Sequence, residues 1–95
     1  MAEGYEQQPF QINPIHQFSG DLNTLKGAGV NGFYFCNGSC TNCPRTYSPL
    51  IVLGREEGNY TTSQLLLGYN GNIYYRIYEK QNDIWTAWKT VSFTS

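Results

Sequence analysis

A turn signal between two strand-like runs restricts the fold more than any other part of the sequence. Asn70-Gly71 separates the run 60–69 from the run 72–80, and Asn-Gly in this position is the strongest short-range signal for a β-hairpin. The second run has the two-residue period of a strand. It places two sets of side chains on opposite faces, Ile73, Tyr75 and Ile77 on one and Tyr74, Arg76 and Tyr78 on the other.

The remaining segments extend this hairpin into a small antiparallel β meander. Runs at 30–36, 50–53 and 84–93 read as further strands, and the last of these places Trp85 and Trp88 on opposite faces. Asp21, just before Leu22 and Leu25, predicts one capped helical turn whose leucines face the core. We therefore predict a mainly β fold with one short helical turn. Residues 1–18 are expected to be an extended leader or the end of a preceding shaft, and residues 19–95 the β domain.

Charge and length exclude several classes of function. Charged residues make up 14% of the 95-residue chain and the formal net charge is −1, so no basic surface for nucleic acid is expected. No apolar run approaches the ~20 residues of a membrane span. The first residues lack the basic flank and apolar stretch of a signal peptide. The sequence predicts neither nucleic-acid binding, nor membrane insertion, nor a secretory signal.

Neutral polar and aromatic side chains dominate the composition. Asn, Thr, Gln and Ser contribute 29 residues, and aromatic residues make up 16% of the chain. Such side chains suit sugar hydroxyls and adaptable protein contacts, and they are equally the residues of an ordinary antiparallel sheet. A chain this short forms a marginal core, so burial of aromatic rings between subunits would stabilise it.

The order of the segments resembles the pyocin-knob type of domain found near the ends of phage tail fibres and R-type pyocin fibres. The closing Trp-Thr-x-Trp-Lys after a Tyr-Arg strand is the most specific part, and Asp-Leu-Asn-Thr-Leu is the second. The matching residues are Asp21, Leu22, Asn23, Leu25, Gly32, Phe33, Tyr34, Pro44, Gln64, Tyr75, Arg76, Trp85, Thr86, Trp88 and Lys89. Three cysteines precede or flank the loop proline where the family tends to have a small residue and Asn.

The resemblance implies a function as well as a fold. It implies a trimeric fibre knob, a homotrimer at the distal end of a tail or head fibre of a phage-type particle. Such a domain would attach the virion to a host cell-surface glycan or protein, and it would be made in the host cytoplasm. A free-standing lectin-like binding domain is one alternative, and a small metal-binding protein built on the cysteine loop is another.

The cysteine cluster Cys36-x3-Cys40-x2-Cys43 is the most reactive motif of the chain. Three thiolates at these spacings could bind zinc, or two of them could form a disulfide. The single histidine, His16, lies in the expected leader and is a poor fourth ligand. We expect inert loop thiols that can be replaced without loss of fold, with no metal and no cofactor.

No combination of side chains predicts an enzyme. A Cys–His pair would require His16 to fold back onto the cysteine loop. Of the carboxylates, Glu56 and Glu57 are neighbours in a glycine-flanked loop and Asp21 is explained as a cap. We expect a binding module without a catalytic centre.

Candidate residues fall into two groups. The predicted structural residues are Asp21, Leu22, Leu25, Phe33, Tyr34, Tyr75, Trp85 and Trp88. The predicted receptor-binding residues lie on the polar aromatic face of one strand and in two loops, and they are Tyr74, Arg76, Tyr78, Asn59 and Asn82. Because loops carry recognition on rigid β scaffolds, the 37–45 loop, the 56–59 loop and the 81–83 turn are the candidate contact segments.

Overall fold

One seven-stranded sheet forms the domain in a computed structural model that describes residues 15–55 and 60–91. Its strands are β1 (His16–Phe18), β2 (Gly32–Cys36), β3 (Ser48–Gly54), β4 (Thr61–Leu67), β5 (Ile73–Glu79), β6 (Ile84–Trp85) and β7 (Lys89–Val91). Two 3₁₀ turns, Leu22–Thr24 and Ala28–Val30, lie between β1 and β2. Within the described ranges no helix is long and apolar enough to cross a membrane.

The strands follow each other across the sheet in sequence order. Pairs from β2 to β6 are antiparallel, β1 pairs with β2 in parallel, and β7 shares the edge of β5 with β6. The mainly β, largely antiparallel class is therefore confirmed. The parallel strand β1 comes from the end of the segment expected to be a leader, so the sheet begins before residue 19.

The central hairpin lies where the sequence placed it. Leu67 and Ile73 are the last paired residues of β4 and β5, and the Gly68 amide donates to the Asn72 carbonyl at 2.8 Å. Gly71 adopts a φ of 92°, which is why glycine suits this position. The hydrogen bond between Gly68 and Asn72 closes a loop of three residues, 69–71, and not the expected two. Three-residue hairpin loops commonly end in a residue with left-handed backbone, as Gly71 does here.

The chain covers one face of the sheet with its own loops. One face of the sheet lies beneath residues 19–31 and 37–47, and Leu22 and Leu25 are buried against it. These two segments are called the cover below, and the face beneath them is called the covered face. Asp21 accepts a hydrogen bond from the Asn23 amide at 2.8 Å, so the predicted cap and its two core leucines are confirmed. The covered face consists of Tyr34, Cys36, Ser48, Leu50, Val52, Thr62, Gln64, Leu66, Tyr74, Arg76, Tyr78 and Trp85.

Gln64 fastens the cover to the centre of the sheet. Its side chain is fully buried, and its Nε2 donates to the carbonyls of Leu22 and Leu25 at 2.8 and 3.1 Å. Its Oε1 accepts from Arg76 Nε at 2.9 Å. One amide group therefore satisfies buried polar atoms on both sides of the layer between sheet and cover.

The opposite face, called the open face below, has no covering segment from the described residues. Its side chains are largely apolar, and Phe33, Leu53, Leu67 and Val91 are 39–61% exposed. The remaining members are the partly buried Phe35, Pro49, Ile51, Ser63, Leu65, Ile73, Tyr75, Ile77 and Glu79, together with the exposed Gln17, Thr61, Ile84 and Lys89. Phe33 was predicted to be structural, and within a single chain it contributes no buried core.

The predicted single strand over 84–93 is wrong in its described part, 84–91, and residues 92 and 93 lie outside the described residues. The described part is divided into β6 and β7, which pair with opposite ends of β5. At the division, the Ile77 amide donates to the Thr86 hydroxyl at 3.0 Å. A side-chain oxygen thus takes the place of a ladder carbonyl, and the backbone is free to leave the strand path after Thr86.

We expect Gln64→Leu to lower the free energy of unfolding by about 2–4 kcal/mol, because buried groups that lose a partner cost ~1–3 kcal/mol each. Urea unfolding at a fixed chain concentration measures this. Ser63→Ala, one position along β4 on the open face, is the control and should change stability by less than about 0.5 kcal/mol. Equal effects of the two changes would contradict the role given to Gln64.

Candidate functional site

Arg76 occupies the centre of the covered face. Its side chain is 5% exposed, and the guanidinium lies 4.0 Å from the ring centre of Trp85 and 4.6 Å from that of Trp88. Among the described residues its Nη2 has no hydrogen-bond partner. Burial lowers the pKa of Arg76 to about 10, and the guanidinium stays charged at neutral pH.

A β-bulge brings the two tryptophans to the same side. Trp85 pairs with Tyr78 and Lys89 pairs with Tyr75, so three residues on one strand oppose two on the other. The extra residue reverses the alternation of side chains beyond it. The prediction that Trp85 and Trp88 lie on opposite faces is therefore wrong, since both rings contact Arg76.

The indole nitrogens fasten these rings to the cover. Trp85 Nε1 donates to the Asn23 carbonyl at 3.3 Å and Trp88 Nε1 donates to the Asn42 carbonyl at 3.1 Å. Asn42 Nδ2 in turn donates to Asp21 Oδ1 at 2.7 Å. This hydrogen bond, the Asn23 amide and the Arg76 charge together lower the pKa of Asp21. The bulge, the cover and the arginine thus form one connected polar assembly.

The predicted receptor face is buried. Tyr74, Arg76 and Tyr78 are 9%, 5% and 3% exposed, so the expectation of an accessible polar aromatic strand face is wrong. The hydroxyl groups of both tyrosines form hydrogen bonds within the chain. Tyr74 Oη accepts from Asn70 Nδ2 at 2.9 Å. Tyr78 donates to Asp83 Oδ1 at 2.6 Å, and this bond raises the pKa of Tyr78 to about 12.

The candidate loops differ in how free they are. The 37–45 loop is part of the cover, and Thr41 forms a parallel bridge with Asp21. The 56–59 loop, with Asn59, lies outside the described residues. The 81–83 turn is exposed, and Asn82 Nδ2 donates to Glu79 Oε1 at 3.0 Å. Of the predicted receptor-binding residues that the structure describes, Asn82 alone is at the surface.

A shallow hollow lies beside this turn. Its volume is about 250 Å³, and it is lined by Tyr60, Thr61, Glu79, Lys80 and Gln81. The register of the central hairpin brings these residues together, because Thr61 pairs with Glu79 and the Lys80 amide donates to the Tyr60 carbonyl at 2.9 Å. An aromatic ring, a carboxylate, an ammonium and an amide converge here, which is a set of groups suited to polyhydroxylated ligands.

The cysteines are only partly loop residues. Cys36 ends β2 and is fully buried in the core, while Cys40 and Cys43 are half-buried and pack against that core. Cys36 therefore does not fit the prediction of an inert loop thiol. Within residues 15–55 and 60–91, no three His, Cys, Asp or Glu side chains are arranged to hold a metal ion. His16 lies in β1, on an exposed edge.

Comparison with known proteins adds no relative. No family model, no curated protein and no solved structure matches the chain.

We expect Trp88→Ala to lower the free energy of unfolding by about 2–4 kcal/mol, because it removes a large packed ring and one of the two cation–π contacts of Arg76. Thermal and urea unfolding measure this loss. Ile84→Ala, at an exposed site of β6, should change stability by less than about 0.5 kcal/mol. A Trp88→Ala protein as stable as the Ile84→Ala protein would show that the contact between Trp88 and Arg76 does not stabilise the fold.

Proposed function

We propose that this chain is the distal domain of a tail or head fibre of a phage-type particle, and that it attaches the particle to a host cell surface. The open apolar face of the sheet is the observation that carries this proposal. A domain with such a face gains stability by assembly, and the sequence resemblance to pyocin-knob domains supplies the form of the assembly, a homotrimer.

The composition of the open face supports assembly. One-sided antiparallel sheets normally alternate apolar residues facing the core with polar residues facing water. Here Leu53 is 61% exposed and Phe33 is 43% exposed. The partly buried Ile51, Leu65 and Ile77 lie on three neighbouring strands of the same face. Contiguous apolar patches of this kind mark interaction surfaces.

Identical copies are suitable occupants of this face. It carries few charges, and Lys89 is already directed over the ring of Tyr75, 5.9 Å from its centre. Bringing such faces together opposes few like charges. Three sheets with their open faces turned towards a common axis would bury the apolar side chains of this face in a shared core, as obligate interfaces do. The end of the face at Thr61 and Glu79, beside the hollow, would stay at the rim of the assembly.

The hollow beside the 81–83 turn is the best-supported contact site for the receptor. Its volume, about 250 Å³, lies below the usual range of deep ligand pockets. A shallow site binds weakly, but three copies on one fibre would raise the apparent affinity through avidity. Asn82 follows Gln81 in the chain and donates to Glu79, and both of these residues line the hollow. Asn59, outside the described residues, directly precedes Tyr60 in the sequence. Asn82 and Asn59 remain candidates for the site, whereas Tyr74, Arg76 and Tyr78 do not.

We expect light scattering to give about three times the chain mass of 10.8 kDa. Leu53→Lys should shift the protein to the mass of one chain, because burial of an unpaired charge in a trimer core is costly. Tyr69→Lys adds the same charge at an exposed turn residue outside the open face and should leave the trimer intact. A wild-type monomer at micromolar concentration would overturn the trimer and favour a free-standing lectin-like domain.

We expect Gln81→Ala and Asn82→Ala to weaken binding to susceptible cells by about tenfold or more, since each removes a neutral hydrogen-bonding group at a site repeated in every subunit. Cell-binding titration measures this, with the oligomeric mass checked for each variant. Ser39→Ala, at an exposed position in the 37–45 loop, is the control. If only Ser39→Ala loses binding, the receptor contacts the cover and not the hollow.

A further inference from the structure

Two exposed tyrosines lie at the end of the sheet opposite the hollow. Tyr47 comes just before β3 and Tyr69 follows β4, and their side chains are 57% and 64% exposed. The register of these antiparallel strands brings both residues to the same end of the sheet, and the Tyr69 amide donates to Ser48 Oγ at 3.2 Å. The hollow lies at the other end, where Thr61 pairs with Glu79. Two large rings are thus displayed on neighbouring strand ends.

Tyr47 is held in a strained backbone conformation. Its φ is 58°, in the left-handed region that large side chains avoid. The other described residues with a positive φ, apart from glycines, are Asn42 and Asp83, and asparagine and aspartate tolerate this region. Because a fold keeps such strain only where other contacts enforce it, a strained and exposed residue is a candidate for a functional role.

Gly38 lets the Tyr47 ring approach the 37–45 loop closely. A Cβ atom at Gly38 would lie 2.5 Å from Tyr47 Oη and 3.0 Å from its Cζ, so a side chain at this position would displace the phenol. The ring therefore lies against the loop while more than half of the side chain stays exposed. Its position is defined before a ligand arrives, which lowers the ordering cost of binding.

Arg45 adds an unpaired positive charge to these rings. Its Cζ lies 4.2 Å from the ring centre of Tyr69. Among the described residues, no carboxylate pairs with the Arg45 guanidinium and no acceptor takes its hydrogen bonds. Its Nε is buried, so the terminal nitrogens are the ones that a ligand can reach. A planar guanidinium with free donors binds a carboxylate through two parallel hydrogen bonds.

We propose that Tyr47, Tyr69 and Arg45 form a binding site for acidic saccharides, called the tyrosine site below. The guanidinium binds a sugar carboxylate, and the phenol rings contact the C–H groups and hydroxyls of the sugar rings, for which tyrosine has both an apolar body and a polar tip. The tyrosine site differs from the hollow in charge, because Glu79 supplies the hollow with a carboxylate. It depends neither on the trimer nor on the attachment function proposed above.

The surroundings of the tyrosine site favour a saccharide over an acidic peptide. Arg45 is the only charged residue in the segments 37–47 and 68–72, and the exposed Ser39 and Asn70 nearby are neutral and polar. An acidic peptide would find one cation for many carboxylates. A saccharide that carries many hydroxyls beside each carboxylate matches one guanidinium among neutral hydrogen-bonding groups.

The test titrates the full-length, isotopically labelled chain with trigalacturonic acid and follows the backbone amide chemical shifts. The amides of Arg45, Tyr47 and Tyr69 should shift. The fully methyl-esterified trisaccharide, which keeps the sugar rings and removes the charge, should bind about tenfold more weakly or worse, since hydrogen bonds to a charged partner are lost. Arg45→Gln should weaken binding of the acid by the same factor. Lys26→Gln removes a positive charge beside Asp83, at the other end of the sheet, and should bind as the wild-type chain does.

Tyr47→Asn separates binding from folding. Asparagine tolerates a positive φ, so the melting temperature of this variant should equal or exceed that of the wild-type chain. Its affinity for trigalacturonic acid should nevertheless fall about fivefold or more, because the ring that contacts the sugar is gone. A tyrosine that served only the fold would give the opposite pair of results.

Three results would overturn the proposal. The first is that millimolar trigalacturonic acid shifts none of the three amides, or that the methyl ester binds as tightly as the acid. The second is a Tyr47→Asn chain that melts at a lower temperature and binds as the wild-type chain does, which would make the strained tyrosine purely structural. The third is a hexaglutamate peptide that binds as tightly as the trisaccharide, which would assign the site to acidic peptides.

Discussion

The burial of one positive charge, on Arg76, is the constraint that organises this domain. A guanidinium cannot discard its proton under ordinary conditions, so the fold must compensate the charge where it lies. The amide oxygen of Gln64 accepts one hydrogen bond, and two indole rings lie against the group in place of water. These groups come from β4, from β6 and from the bulge that precedes β7. A single side chain thus links the middle of the sheet to its C-terminal edge.

The two faces of the sheet depart from the usual division into a buried apolar side and an exposed polar side. The face under the cover contains a glutamine, an arginine and two tyrosines among its buried residues, and the open face contains most of the isoleucines and several leucines. The covered face can hold polar groups because Leu22, Leu25 and Asn23 supply carbonyls directly above them. The polar groups of the covered face therefore form their hydrogen bonds within one chain, and the open face leaves apolar surface for contacts with other molecules.

Local sequence patterns predicted the strands and turns, but not which face of the sheet is covered. The Asn70-Gly71 turn located the central hairpin, and its register also implies that Tyr60 lies beside Lys80, the basis of the hollow. The alternation in β5 was correct as well. Which of its two faces is covered depends on where the cover crosses the sheet, and this involves contacts more than 35 residues apart, such as that of Gln64 with Leu25. The bulge was not predicted, because the Thr86 hydroxyl that replaces a backbone acceptor does not change the alternation of apolar and polar residues in the sequence.

Because of the bulge opposite Arg76, the number of residues between Trp85 and Lys89 determines whether both tryptophans lie on the same face of the sheet. Exchanging the exposed Ala87 for another residue leaves the number of positions unchanged, so both indoles keep their places. Removing one position would restore regular pairing and turn one ring away from the guanidinium. This segment can therefore accept substitutions during evolution. The insertion or deletion of a single residue would be selected against, because it would turn an indole away from the buried charge of Arg76 on a different strand.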